Sequence, residues 1–358
     1  MQAANRLHKA LRASGPTFGG WQMLPGSNVS RLMARAGYDW VCVDTEHGNI
    51  DDGAMHEAVA ALAACGTSPI VRVADNQGWM VKRALDAGAH GIVVPLLNTV
   101  ADAERLVATA KFPPLGIRGF GSPFSTEKFN NITAKEYLAH ANDSILTIVQ
   151  IETRQALDNV DAIARVQGVD VLLVGPFDLG NSIGENILEK GVTDVLKAAI
   201  AKILKAARDA GKKAAIYSVS GEQARQYADM GFDMISVYGD HAAILEANTK
   251  ALAIAKGGIM HSALNLAKET ILLLTTDGRT LLGTLLAIDQ TTNLVLANTV
   301  ERIIRPADDE EASSSVSHGL YLVRGENVAI CGEVDEELDG KIDWEKVRGS
   351  VIGGVKHV

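Results

Sequence analysis

Hydrophobic positions along this chain change their pattern near residue 258. Before that point, short and nearly continuous apolar runs alternate with stretches whose apolar residues recur at helical spacing. The runs are TFGGWQML from Thr17, YDWVCVDT from Tyr38, SPIVRVA from Ser68 and HGIVVP from His90. They continue with SILTIVQIE from Ser144, DVLLVGP from Asp170, KKAAIYS from Lys212 and FDMISVY from Phe232. A strand covered on both faces has no polar side to display, so such runs predict parallel strands. Ala54 to Cys65 and Val195 to Ala210 read as helices, and Asn5 to Arg12 as a short helix before the first strand. Eight strand–helix units in about 250 residues predict an α/β fold closed as a (β/α)8 barrel. A doubly wound sheet is the alternative, but no GxGxxG follows the first strand.

The second segment reads differently. GGI leads into Met260, a minimal linker over 257–261, and a short helical lead starts at Ser262. TILLLTTDGRTLLGTLLAIDQTTNLVLANTVERIIR then gives strand-like runs with turns at Asp277-Gly278 and at Asp289 to Asn293. PADDEEASSSVSH, residues 306–318, is acidic and Ser-rich and reads as a mobile loop; GLYLVRG and ENVAICGEVD follow as two more strands. Five strands in about 75 residues are too few for a sandwich and enough for a small, strongly bent open barrel. The domains expected are therefore 1–256 and 262–358.

Composition narrows this picture. The chain has 358 residues, 47% hydrophobic and 22% charged, which excludes a disordered or fibrous protein. No apolar run approaches the roughly 18–20 residues of a membrane span, so no membrane partner is expected. Three cysteines without a CxxC pair argue against a disulfide framework and fit a reducing compartment. The net charge of −9 excludes a broad basic surface for nucleic acid. From Met260 onward there are 9 Lys+Arg against 16 Asp+Glu, so RNA contact there must be local. The first 38 residues lack acidic side chains, as targeting segments do, but their pattern reads as a helix followed by a strand.

In a (β/α)8 barrel, chemistry sits at the C-terminal ends of the strands. The second run ends in DTEHG (Asp44 to Gly48), the third carries Arg72, the fifth ends with Gln150 and Glu152, and the sixth leads through GPFDLG to Asp178. Each residue alone reads more readily as a turn former or helix cap, but four strands converging on one rim favour a site. Glu152 and Asp178 could hold a hard divalent cation through oxygen, with water and substrate completing the shell. Such an ion polarises a 2-oxo acid and stabilises the charge left when the adjacent carbon loses a proton. Arg72 offers a planar donor pair for an oxyanion or carboxylate. His47, its ring oriented by Asp44 or Glu46, is the natural proton shuttle. The structural alternative is a salt-bridge network tying strand ends together.

At these residues the chain resembles the HpcH/HpaI aldolase family. The similarity lies in YDWVCVDTEHG, PIVRV, HGIVVPLLNT, FPPLGIRGFG, QIETRQALDNV and GVDVLLVGPFDLGNSIG, spread over about residues 5–256. The resemblance implies a class II aldolase on a TIM barrel that uses Mg²⁺, Mn²⁺ or Co²⁺ and reversibly cleaves hydroxy-oxo acids to pyruvate and an aldehyde. It implies Glu152 and Asp178 as metal ligands, Arg72 as the oxyanion-stabilising residue, and His47 with Asp44 as an acid/base dyad. It places Gln150 and the Gly175-Pro176 backbone along the pyruvate pocket. Asp86 matches an acidic residue lent to a neighbouring subunit, which implies an oligomer. The family often reads GPADLS where this chain has Phe177 and Gly180, and the bulkier Phe177 leaves substrate choice open.

The second segment resembles the Sm-like (LSm) family, and within it the eighth subunit, specific to the nuclear ring. DGRTLLGTL and DQTTNLVL, between Asp277 and Arg302, look like the first Sm motif; GLYLVRGENVAICGEVD from Gly319 looks like the second; VRGSVIGGVKHV is similar to that subunit's fungal tail. This implies a seven-membered ring with other LSm subunits that binds the uridine-rich 3′ end of U6 small nuclear RNA in pre-mRNA splicing. Asp289, Thr291 and Asn293 match pore-facing positions of the first motif, and Arg324 and Gly325 those of the second. A base would be read by Asn293 and stacked on Arg324. The alternative is that Asp289 and Asn293 simply build the turn. The nucleus suits the LSm function, and the cytoplasm is open to the aldolase function. Three readings compete: a bifunctional chain, a splicing subunit with a catalytically idle barrel, and two proteins joined across a short linker in which Met260 stands where a free LSm protein would start.

Overall fold

The structure is a computed structural model that describes residues 1, 3–13, 15–255, 269–289 and 291–349. It divides into two compact units, residues 1–245 and 246–358. The expected linker, the helical lead from Ser262 and most of the C-terminal tail lie outside the described residues.

In the first unit all eight apolar runs are strands of one closed parallel barrel. They are β1 (Thr17–Gln22), β2 (Trp40–Asp44), β3 (Ser68–Arg72), β4 (Gly91–Val94), β5 (Leu146–Ile151), β6 (Val171–Val174), β7 (Lys213–Ile216) and β8 (Met234–Gly239). Their residues are buried on both faces, which is why the runs lack alternation. One core lies between strands and surrounding helices, with Val43, Val71, Ile92, Val149 and Ile216 against residues such as Leu62, Leu106 and Ile203. A second fills the barrel: Trp21, Trp40, Ile70, Ile148 and Leu173, joined by Leu7 and Leu11 of the helix Arg6–Arg12. Asn5 caps that helix by accepting from the His8 N–H, and its amide donates to the carbonyls of His90 and Ser144, pinning the helix to the barrel.

Helices restart at once beyond the rim because Asp51, Thr99, Thr153 and Ser220 accept hydrogen bonds from their first-turn N–H groups. This short punctuation holds the strand-end side chains at the rim. No helix among the described residues is long and apolar enough to cross a membrane.

Among its described residues the second unit holds five antiparallel strands: β9 (Thr270–Thr275), β10 (Thr280–Ile288), β11 (Leu294–Ile303), β12 (Ser314–Val323) and β13 (Val328–Glu333), in the order β12-β11-β10-β9-β13. Here β9, most of β10 and the start of β11 alternate, and Ile271, Leu273, Leu281, Leu285, Leu294, Leu296, Val323 and Val328 form the core. Register shifts in β10 and β11 mark bulges that bend the sheet, as a small Sm-like barrel requires. One expectation needs correcting: the loop over 306–318 is shorter, because Ser314 to His318 already belong to β12. There Ser315, Val316 and Ser317 pair with Arg302, Glu301 and Val300 of β11. Polar composition concealed this, since most residues of β12 are exposed and need no apolar alternation.

Candidate active site and nucleic-acid interface

The register of β2 and β3 sets Asp44 beside Arg72. Arg72 Nε donates to Asp44 Oδ1 at 2.9 Å and Nη2 to Oδ2 at 2.6 Å, while Nη1 lies 3.0 Å from Glu46 Oε2. Trp21 Nε1 donates to Asp44 Oδ2 at 3.1 Å, and the guanidinium lies 4.9 Å from the Trp21 ring centre. Burial alone would raise the Asp44 pKa, yet the Arg72 hydrogen bonds and charge hold it below the usual carboxylate range. Burial opposes the Arg72 charge, and Asp44 and Glu46 outweigh it, raising that pKa. Burial pushes Glu46 upward.

This network corrects the expected dyad. Asp44 meets His47 through the backbone, accepting its N–H at 3.3 Å; the acidic neighbour of the ring is Glu46, 3.7 Å from Nε2. Both Asp44 oxygens are already committed to Arg72. The His47 ring remains largely open to solvent at the rim.

Glu152 lies just beyond β5, almost fully buried, accepting from the Leu96 N–H at 2.8 Å and from the Gln150 amide. Burial raises its pKa, the Leu96 and Gln150 hydrogen bonds oppose that, and the charge of Asp178 adds to the rise. Gly175 runs close alongside: a Cβ there would come within 2.8 Å of Glu152 Oε2 and push that carboxylate from its present place. Asp178 stands in the first turn of the helix Pro176–Ile183, which follows β6. Gln150 Oε1 is buried without a hydrogen-bond partner. Two carboxylates and an orphaned amide oxygen are the hard donors a divalent cation prefers, so these residues fit one. Among the described residues no cluster of three His, Cys, Asp or Glu side chains could hold a metal, so water and substrate would have to complete the shell.

Asp44, His47, Arg72, Gln150, Gly175, Pro176 and Asp178 all line one cavity of about 410 Å³, with Glu152 tucked behind Gly175. Asp86 is not brought there. It ends the helix Gly78–Asp86, pairs with the buried Arg118 at 3.3 Å and lines a separate groove. Sequence reasoning missed the remaining lining, chiefly Trp21, Tyr217, Tyr238 and His241. These follow from the same strand-end rule applied to β1, β7 and β8, whose ends carry no clustered polar motif to attract notice.

In the second unit Asp289, Thr291, Asn293 and Arg324 line a depression of about 590 Å³. Asp289 Oδ1 accepts from the N–H groups of Thr291 and Asn293 and from the Thr291 hydroxyl, and Oδ2 accepts from the Asn293 amide at 2.7 Å. Those hydrogen bonds, from Asn293 first, hold the Asp289 pKa down. Asn293 Nδ2 also donates to Thr291 Oγ1, and its Oδ1 accepts the Gly325 N–H at 2.8 Å. Both amide protons are thus engaged in shaping the turn, and Asn293 has only its oxygen to offer a base. A Cβ on Gly325 would collide with the Thr291 carbonyl oxygen, so the glycine is required for β11 and β12 to close here. Arg324 projects into solvent, three-quarters exposed and 3.7 Å from Glu326.

An eight-stranded parallel barrel with carboxylates, an arginine and a histidine on its C-terminal rim defines a (β/α)8 enzyme, here joined to an Sm-like unit. Residues 21–251 match the HpcH/HpaI aldolase/citrate lyase family and residues 263–333 the LSM domain. The chain belongs to that aldolase family, whose members are carbon–carbon lyases, and it carries an LSM domain. It is 36% identical over 239 residues to hydroxypyruvate/pyruvate aldolase of Agrobacterium fabrum, covering 66% of this chain and 88% of that one. It is 34% identical over 249 residues to 5-keto-4-deoxy-D-glucarate aldolase of Shigella sonnei, covering 70% and 95%. A crystal structure of an HpcH/HpaI aldolase/citrate lyase family protein from Burkholderia cenocepacia superposes with a TM-score of 0.65 at 33% identity, covering 72% of this chain and all of that one.

Proposed function

We propose that residues 1–256 form a divalent-metal-dependent aldolase that reversibly cleaves a hydroxy-oxo acid to pyruvate and an aldehyde, and that residues 262–358 act as an LSm subunit. The observation that carries the first half is the gathering of Asp178, Arg72, His47 and Gln150 on one rim cavity, with Glu152 directly behind it. Glu152 and Asp178 hold Mg²⁺, Mn²⁺ or Co²⁺, which when bound supplies a Lewis acid for the 2-oxo acid and for the negative charge that develops on it. Gln150 and the Gly175-Pro176 backbone orient the pyruvate moiety. Arg72 is locked by Asp44 and Glu46, so its remaining N–H groups meet the developing oxyanion without reorganising. His47, with Glu46 beside its ring, moves the proton of the substrate hydroxyl, and Asp44 positions Arg72. Asp86 serves the cavity of a neighbouring copy, making the active form an oligomer.

Glu152→Ala or Asp178→Ala is expected to lower pyruvate release at least ~100-fold, in line with the loss of Lewis-acid stabilisation, and excess EDTA to do the same to the parent. Full activity in any of the three would remove the metal assignment.

The second half rests on the depression lined by Asp289, Thr291, Asn293 and Arg324, with Gly325 closing the turn beneath it. It reads a uridine-rich strand, the 3′ end of U6 small nuclear RNA, within a seven-membered ring of LSm subunits acting in nuclear pre-mRNA splicing; the aldolase function belongs to the cytoplasm. Arg324→Ala should weaken oligouridine binding about tenfold in assembled rings, the scale of one lost base-stacking contact. Unchanged affinity in such rings would take Arg324 out of the site.

A further inference from the structure

The lining of the rim cavity splits into two chemistries. Asp44, Arg72, Gln150 and Asp178 are polar; much of the remainder is Met23, Phe177, Tyr217, Val219, Tyr238 and Ala242. The aromatic part is continuous. Arg72 lies over Trp21, the Trp21 and Tyr217 rings meet edge-on with centres 5.1 Å apart, and Tyr217 and Phe177 do so at 6.5 Å. An apolar wall therefore leads away from the polar group that would hold pyruvate. We infer that the aldehyde accepted beside this wall is uncharged and apolar, aromatic or branched aliphatic, rather than carboxylated or polyhydroxylated. The inference rests on the aldolase reading above.

Charge makes the argument sharper. Among the described residues Arg72 is the one guanidinium in the lining and no lysine joins it; Asp44 and Glu46 balance its charge, and its remaining N–H groups are those assigned to the pyruvate oxyanion. Asp44 and Asp178 line the same cavity, and Glu46 and Glu152 stand close behind it. His47 and His241 also line it, each with at least half of its side chain in solvent. The divalent cation that Glu152 and Asp178 would hold is taken up by pyruvate, so a carboxylate on the aldehyde half would leave water and meet no further cation among the described lining residues, which is costly. Extra hydroxyls would lose their water against Met23, Phe177, Val219 and Ala242, and the Tyr217 and Tyr238 hydroxyls answer them at separate points of the wall rather than along a polyhydroxylated chain. An apolar ring instead gains by burial and by edge-on contact with Tyr217 and Phe177. About 410 Å³ lies within the roughly 300–1,000 Å³ of sites that enclose a small ligand.

The reaction balances without a further reagent: in the addition direction, C3 of pyruvate loses a proton and bonds to the aldehyde carbon, and the aldehyde oxygen gains a proton as the new hydroxyl. The test uses the full-length chain with Mn²⁺ and pyruvate, offered benzaldehyde, glycolaldehyde or succinic semialdehyde. Benzaldehyde should have a kcat/KM at least ~10-fold above the other two, the scale of discrimination an apolar pocket supplies. Phe177→Ala should raise KM for benzaldehyde and lower the ratio of the benzaldehyde to the succinic semialdehyde kcat/KM ~10-fold. Val219→Lys, which adds a cation on a partly exposed part of the wall, should raise the succinic semialdehyde value ~10-fold. A carboxylated or hydroxylated acceptor used as well as benzaldehyde, or variants that leave the ratios unchanged, would overturn the inference. Exchange of the pyruvate methyl protons in D₂O, with no aldehyde present, reads the aldolase step separately. Exchange accompanied by the wrong aldehyde preference sinks the inference alone; no exchange sinks the aldolase reading and the inference with it.

Discussion

Asp44 shows how much one buried residue can organise. It takes two hydrogen bonds from Arg72, one from Trp21 and backbone N–H groups from Glu46 and His47, so it fixes both the cationic group and the loop carrying His47. Asp44→Ala would strand a buried guanidinium with only Glu46 beside it, and we expect a loss of about 3 kcal/mol in urea unfolding. The double variant Asp44→Ala/Arg72→Met should recover part of that loss, because the unpaired charge goes too; a double variant less stable than the single would contradict this account. That Asp44 and Arg72 reach the rim cavity was legible from their places at strand ends. Their partnership was not, since the two lie 28 positions apart and meet only through the register of β2 on β3.

At the scale of elements, His90 is a useful reporter. It precedes β4, its Nε2 lies 2.8 Å from the Lys128 carbonyl and so must carry the proton, and its ring stacks on Phe129. Burial lowers its pKa to about 4, against 6.5 in the unfolded chain. The unfolded chain therefore binds the proton first as pH falls. The contribution of neutral His90 is complete above about pH 6.5, is lost progressively down to about pH 4, and stays constant below. The lost stability amounts to about 3 kcal/mol over that window. Comparing the parent with His90→Gln in urea at pH 7 and pH 4 isolates it: the difference should shrink by about that amount, and an unchanged difference would refute the assignment. Elements with a strong local signature, continuous apolar runs in β1 to β8 and turn-bounded strand-like runs in β9 to β11, were readable from sequence. The start of β12 was not, because an exposed strand pairs through backbone groups that leave no side-chain signature.

At the scale of the molecule, two units of different pattern, charge and fold share one chain. From Met260 onward the sequence carries a surplus of seven acidic side chains, while the preceding part is nearly balanced. Whether both proposed functions operate in one polypeptide is tested by mass spectrometry of the natural protein. Trypsin should release GGIMHSALNLAK, residues 257–268, if the chain is continuous. A peptide starting at Met260 or His261 in its place would mean two proteins. By itself the sequence determined both folds and the polar rim residues of β2, β3, β5 and β6, because strand and helix patterns are local and strand ends follow from them. Only the tertiary structure decided that Asp44 locks Arg72 while Glu46 stands by His47. It likewise decided that Gly175 runs beside Glu152 and leaves its carboxylate room, and that Trp21, Tyr217 and Phe177 build the apolar wall. Those relations depend on barrel closure and cross-strand register, which bring together side chains that no local pattern connects.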